Sequence, residues 1–432
     1  MSSPTTTSYD MVTLSPSSED AITHVLQENF QRDSVYLKIG AHVLVSLNPF
    51  KELPTCGDAE LEEYVADLKD TRPTIGDRLR PHIFQVINNA YLEMRRTGYN
   101  QSIVFSGETG SGKSTSKLLA LRALGKVRES SKKETHVVKL ITNACKILEA
   151  FGNAKTSKNN SASRFGSYIE VQFNERGRIL GSKFLEYLLE KSRVTNFIHG
   201  ERNFHIFHYL HSGASINESV NFQFTETAQY NYLPQSPSDP KQEDALKFEE
   251  LRECMKSLGL NKKYQSQIFR LLAGIMHLGN IVFVDPHNKN TEAASVENVE
   301  VLDTVAEFFG VEAVALESIL TYKSQMIQKE MCTIFLDANQ AAVQRDNLAK
   351  ALYSLLFSWI VEFINSKLCC EEQTNFIGFV DMMGFQTPAI DSFNQFCVNF
   401  ANERLHNFFN YQIFELNNAD YREQGIPVPS TA

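Results

Sequence analysis

Apolar residues along the chain follow two rhythms that alternate repeatedly. Short apolar runs at 43–47, 103–105, 168–173, 179–189 and 375–380 read as β-strands. Between them, apolar residues recur at helical spacing. Such patterning starts near 18–21 and covers 80–91, with Phe84 and Ile87 on one face. It continues behind residue 114, where Leu118, Leu121 and Leu124 share a stripe, and over 139–151, which Gly152-Asn153 ends. Further helices are predicted from 200 to 210, in two or three segments up to 278, over 340–365, and as one long helix over 393–417. Trp359 lies in an apolar patch with Leu352, Leu355, Leu356 and Ile360 and is expected in the core. Residues 175–178 supply a hairpin turn, while 155–163, 234–240 and 285–294 are polar loops. No internal repeat is visible. The alternation predicts an α/β fold with helices outside a central sheet.

Composition narrows the picture. With 432 residues, 42% of them hydrophobic, the chain can bury a large core and more than one subdomain is expected. Residues 1–17 are rich in Ser, Thr and Pro and are expected to be disordered. The net charge of −9 and the lack of a dense Lys/Arg run argue against a nucleic-acid partner. The seven cysteines are scattered and include no metal-knuckle spacing, which favours reduced thiols in or near the core. No signal peptide and no unbroken apolar run of about 18 residues is seen, so this chain itself is expected to make no membrane contact.

One stretch carries specific chemistry. Gly107, Glu108, Thr109, Gly110, Ser111, Gly112, Lys113 and Ser114 spell G-x-x-x-x-G-K-S between a predicted strand and a predicted helix. Glycines there can turn successive backbone N–H groups inward on an anion, and the helix N-terminus adds partial positive charge. Lys113 would reach the β- and γ-phosphates and the Ser114 hydroxyl would bind Mg²⁺.

With these residues in view the chain resembles a myosin motor domain. Residues 159–166 (Asn-Asn-Ser-Ala-Ser-Arg-Phe-Gly) resemble switch I and residues 381–386 (Asp-Met-Met-Gly-Phe-Gln) resemble switch II. The stretches 190–194, 200–207 and 399–403 also match, the last at the head of what would be the relay helix. The resemblance implies a P-loop NTPase core with a central mixed sheet flanked by helices. It spans 18–432 and is C-terminally incomplete, because the family places its remaining lower-domain half, a further sheet strand and the converter beyond that point. It implies ATP and Mg²⁺ as cofactors. Asn48 and Pro49 would contact the base and Lys51 would also bind the nucleotide, Asn159 and Ser163 would join the glycine loop on the phosphates, and Ser114, Ser163 and Asp381 would serve the metal. Lys113, Arg164, Gly384 and Gln386 would carry catalysis.

Several positions depart from the family pattern. The family usually has Glu where Gln386 stands, and that Glu pairs with the switch I Arg. It also has a Ser, able to relay a proton, where Ala162 stands. Ser161 replaces an Asn, and Cys56 stands where a Tyr often packs on adenine. The expectation is ATP·Mg²⁺ binding with slow hydrolysis. The same departures resemble the motor-like domain at the N-terminus of fungal class V and VII chitin synthases. That implies a cytoplasmic, cytoskeleton-associated head that tethers a membrane-embedded synthase through actin. An active unconventional motor and a nucleotide-gated binding module without actin stay open as alternatives. Glu330, on a loop at 323–337, would supply a negative charge to actin. Other conspicuous groups have plain readings: His205 and His208 as helix packing, Phe400, Phe408, Phe409 and Phe414 as helix core, and Asp244, Glu249, Glu250 and Glu253 as a solvated face.

Overall fold

The computed structural model describes residues 9–69, 79–127, 131–198, 200–225, 229–234, 240–286, 292–327, 330–387 and 393–427. Ten elements bear on function: β1 (Gln101–Phe105), α1 (Lys113–Leu124), β2 (Gly166–Phe173), β3 (Ile179–Tyr187), α2 (His205–Gly213), α3 (Lys241–Ser257), α4 (Lys262–Leu278), α5 (Ala338–Leu368), β4 (Asn375–Asp381) and α6 (Phe393–Asn410). They fall in two compact units. One is built from 1–142, 166–185 and 368–432, the other from 143–165 and 186–367.

The first unit contains a four-stranded mixed sheet in the order β1-β4-β2-β3. Alternation in β2 buries Ile169, Val171 and Phe173, and β4 buries Ile377 and Phe379 between its neighbours. β4 runs parallel to β1, with Asp381 opposite Phe105, and antiparallel to β2, with Asp381 opposite Ser167. Gly378 in β4 makes room for Tyr168: a Cβ there would lie 2.7 Å from the Tyr168 hydroxyl, so a larger residue would require that ring to shift. The helix Ile83–Thr97 starts only at Ile83, because the His82 side chain caps it, three residues later than the sequence pattern suggests. Within the stretch expected to be disordered, Asp10 bridges to Lys38 and caps the short turn Met11–Thr13, so structure begins by residue 10; residues 1–8 lie outside the described residues.

In the second unit α2, α3, α4 and α5 supply the core, with Phe204, Phe207, Phe248, Phe269, Tyr353 and Phe357 buried. By length and composition alone α5 could cross a bilayer, although its sequence shows no unbroken apolar run. Its inward stripe of Tyr353, Phe357, Ile360 and Ile364 is buried protein core.

Four expectations fail here, and for those about burial the reason is shared: periodicity identifies a face but not what covers it. Trp359 is 37% exposed and Leu355 69%, because the stripe that α5 buries lies on its other side; Trp359 packs on Tyr264 and Phe363 at the rim. The helix over 393–417 is interrupted: α6 gives way to a π-helical stretch, Tyr411–Glu415, before Leu416–Glu423. Its aromatic stripe is not core, since Phe400, Phe408 and Phe414 are each more than half exposed. Asp244 is buried rather than solvated, in an ion pair with Arg202. The polar loops 234–240 and 285–294 lie largely outside the described residues.

Candidate nucleotide site

In the first unit, β1 ends at Phe105 and the chain turns through three glycines with φ of +145° (Gly107), +80° (Gly110) and +93° (Gly112). Side chains rarely adopt these angles, so the loop depends on glycine. Helix α1 starts at Lys113 with Gly112 as its N-cap and no side-chain cap. No side chain of the N-cap residue competes with a ligand for the first amides of the helix. Ser111 Oγ is buried without a hydrogen-bond partner among the described residues. An uncapped helix start, left-handed glycines and an unsatisfied buried hydroxyl fit an oxyanion such as a polyphosphate. Asn48 braces the loop from outside, donating from Nδ2 to the Gly110 carbonyl at 2.7 Å.

Four polar side chains gather at the C-terminal ends of β1 and β4, where open α/β sheets bind ligands. Lys113 Nζ donates to the carbonyls of Gly107 (2.8 Å) and Glu108 (2.7 Å). Burial lowers the pKa of its ammonium, opposed by the charges of Asp381 and Glu108. Ser114 Oγ donates to Asp381 Oδ2 at 3.0 Å, and Lys117 Nζ lies 2.8 Å from the same oxygen.

The segment after β4 is sewn to both sides of this site. Thr109 N donates to the Phe385 carbonyl at 3.1 Å. Gly384 lies so close to the glycine loop that a Cβ would meet Thr109 N, the Glu108 carbonyl carbon and Lys113 Nζ. The Asn399 amide on α6 donates to Gln386 O (2.8 Å) and accepts from Gln386 N (3.0 Å). Asn402 Nδ2 donates to Met383 O at 2.6 Å.

The switch I-like residues belong to the second unit. Ala162 and Ser163 pair with Ala154 and Asn153 in a two-residue ladder. Asn159 Oδ1 accepts from Ser161 N, and Ser161 Oγ contacts Asn153 Nδ2 and His205 Nε2, each at 3.2 Å. Arg164 is 1% exposed; its Nε donates to Glu190 Oε2 at 2.6 Å, while Nη1 has no partner among the described residues. Arg193 joins Glu190 to Glu201, so two carboxylates and two guanidiniums form one buried network. Burial would raise the Glu190 carboxyl pKa, but Arg164 and Arg193 outweigh it and hold the group below its usual range.

Gly107 to Ser114, Asp381, Gly384 and Asn48 thus gather around one loop. Gln386 is held through its backbone, and Lys51 pairs with Asp33 at 2.7 Å. Pro49 follows Asn48 in an irregular segment, and Asn159, Ser163 and Arg164 stand in the other unit. Lys117 and Ser167 carry contacts that no motif announced; Glu190, Asn399 and Asn402 lie in the stretches 190–194 and 399–403 that the resemblance singled out, but without their partners. His205 and His208 are buried packing residues, and no His, Cys, Asp or Glu cluster among the described residues is placed to hold a metal.

Comparison with known proteins follows this geometry. The family model described as myosin head (motor domain) matches residues 8–431. Chitin synthase 8 of Mycosarcoma maydis is 43% identical over 412 residues, 94% of this chain and 20% of the relative. Chitin synthase 5 of Cryptococcus neoformans var. grubii is 41% identical over 416 residues, 92% of this chain and 22% of the relative. Myosin-I heavy chain of Dictyostelium discoideum is 37% identical over 421 residues, 96% of this chain and 17% of the relative. The chain spans about a fifth of the length of these relatives.

Proposed function

The chain belongs to the myosin head (motor domain) family, and from that premise we propose that it is an ATP·Mg²⁺-binding motor-like head with slow hydrolysis. In this reading it associates with actin and positions a fungal chitin synthase of which it forms part. The observation that carries the reading is the convergence of Lys113, Ser114 and Asp381 at the mouth of an uncapped glycine loop. Loop amides and the α1 N-terminus would hold the phosphates, and Lys113 would exchange its two carbonyl contacts for phosphate oxygens. Ser114 and Asp381 would serve a magnesium ion, which when bound supplies charge neutralisation on the β- and γ-phosphates.

Slow turnover follows from what the side chains lack. Ala162 offers no hydroxyl, and its site is closed to solvent. Gln386 is neutral where the family carries a carboxylate, and charge-assisted hydrogen bonds are about twice as strong as neutral ones. Arg164 is already engaged by Glu190. Single-turnover hydrolysis by the purified chain tests this: slow conversion of bound ATP is expected, and Gln386→Glu with Ala162→Ser should raise the rate. Turnover at ordinary motor speed in the unaltered protein would refute it.

An active motor is the rival. It is favoured by the unbroken hydrogen-bonded path from Thr109 through Phe385 and Gln386 to Asn399 on α6. The same assay with actin added separates the two.

A further inference from the structure

We propose that Lys117 is a built-in counter-cation for Asp381 that makes nucleotide capture largely independent of Mg²⁺. The inference rests on the nucleotide-binding reading above and assigns a role to a residue outside the G-x-x-x-x-G-K-S motif.

Lys117 lies three positions after Ser114 on α1, so the two side chains leave the helix on the same face. Its ammonium is buried, 2.8 Å from Asp381 Oδ2, the oxygen that also accepts the Ser114 hydroxyl at 3.0 Å. It also contacts Ser167 Oγ at 3.2 Å. Ser167 and Asp381 are register partners at the ends of β2 and β4, so a single ammonium bridges two neighbouring strands. Sheet register sets this geometry, which does not depend on a flexible surface side chain.

The charge balance then differs from that of a site which recruits a divalent ion through a free carboxylate. Hard cations bind where oxygen ligands bring net negative charge. Among the described residues, Asp381, the buried carboxylate beside Ser114, is already paired with Lys117, and the half-buried Lys113 adds a second positive charge next to the loop, facing the charge of the solvent-exposed Glu108. A polyphosphate gains from that excess directly. A divalent ion meets a carboxylate shared with a resident cation at close range. Mg²⁺ and nucleotide should therefore assist each other's binding only weakly, and by linkage that weak coupling is the same in both directions.

The test measures affinity of the full chain for a fluorescent ATP analogue, once with excess free Mg²⁺ and once with EDTA. The ratio of the two dissociation constants is the coupling. Linked sites typically show ~5–150-fold. The unaltered protein is expected below ~10-fold, and Lys117→Met should raise its ratio by at least ~10-fold, while Lys117→Arg, which keeps the charge, should stay near the original. A ratio of ~10-fold or more in the unaltered protein would overturn the inference. So would a folded Lys117→Met with an unchanged ratio. Because the first arm needs no variant, misfolding of Lys117→Met would still leave the question decided. Binding with strong coupling defeats only this inference, whereas no binding in either condition defeats the nucleotide-site reading itself.

Discussion

Replacing Gly384 by alanine isolates the contact between the glycine loop and the segment after β4. Gly384 has no positive φ, so the cost is steric and not conformational. A Cβ there would lie 2.6 Å from the Glu108 carbonyl carbon and 2.6 Å from Lys113 Nζ, and also against Thr109 N. Carbon contacts prefer about 3.5–4.0 Å, so roughly 1 Å must be recovered. Two of the three obstacles are backbone, and Thr109 N holds that backbone to Phe385 O. Overpacking of this kind costs about 1–3 kcal/mol, and rigid neighbours place it near the top of the range. If the segment withdraws instead, the Thr109–Phe385 bond is lost at about 1 kcal/mol. Either response displaces Lys113 from the loop, and hydrogen bonds to charged groups contribute about 1.5–3 kcal/mol, so nucleotide affinity should fall ~10–100-fold. Chemical denaturation reads the stability, and titration with a fluorescent ATP analogue reads the affinity. Gly200→Ala is the control: φ is +85° but nothing lies within 4 Å of a Cβ, so a modest backbone cost without loss of binding is expected. A Gly384→Ala protein with unchanged stability and unchanged affinity would refute the steric reasoning.

Two further outcomes can be checked by denaturation. Glu190→Gln leaves Arg164 and Arg193 without their shared carboxylate and should destabilise the second unit by about 3–5 kcal/mol; a loss under about 1 kcal/mol would mean that the buried network is not holding these charges. His205 is held neutral by burial and by the nearby charge of Arg202, its pKa lowered from 6.5 to about 4. The unfolded chain binds the proton first, so stability is full above pH 6.5 and falls as pH drops from 6.5 towards 4, by about 3 kcal/mol in all from this group. The decline should be shallower in His205→Asn; identical slopes would contradict the assignment.

What the sequence by itself determined is local. The strand, glycine loop and helix around 101–124 follow from apolar period and from glycines at positions where φ is positive, and both are properties of consecutive residues. The hairpin turn at 175–178 and the helical identity of 338–368 were readable for the same reason, although segment ends moved where a cap such as His82 decided them, whereas the mixed character of the sheet came only with the family resemblance. The tertiary structure alone decided partnership. Ser114 meets Asp381 across 267 positions, and Lys117 occupies the same oxygen because strand register brings β2 and β4 to a common end. Arg164 finds Glu190, and Trp359 finds the rim instead of the core. Hydrogen bonds and close ion pairs act over a few ångströms, so which charge neutralises which depends on where distant backbones converge. A repeat of apolar residues states which face is greasy; only packing states what lies against it.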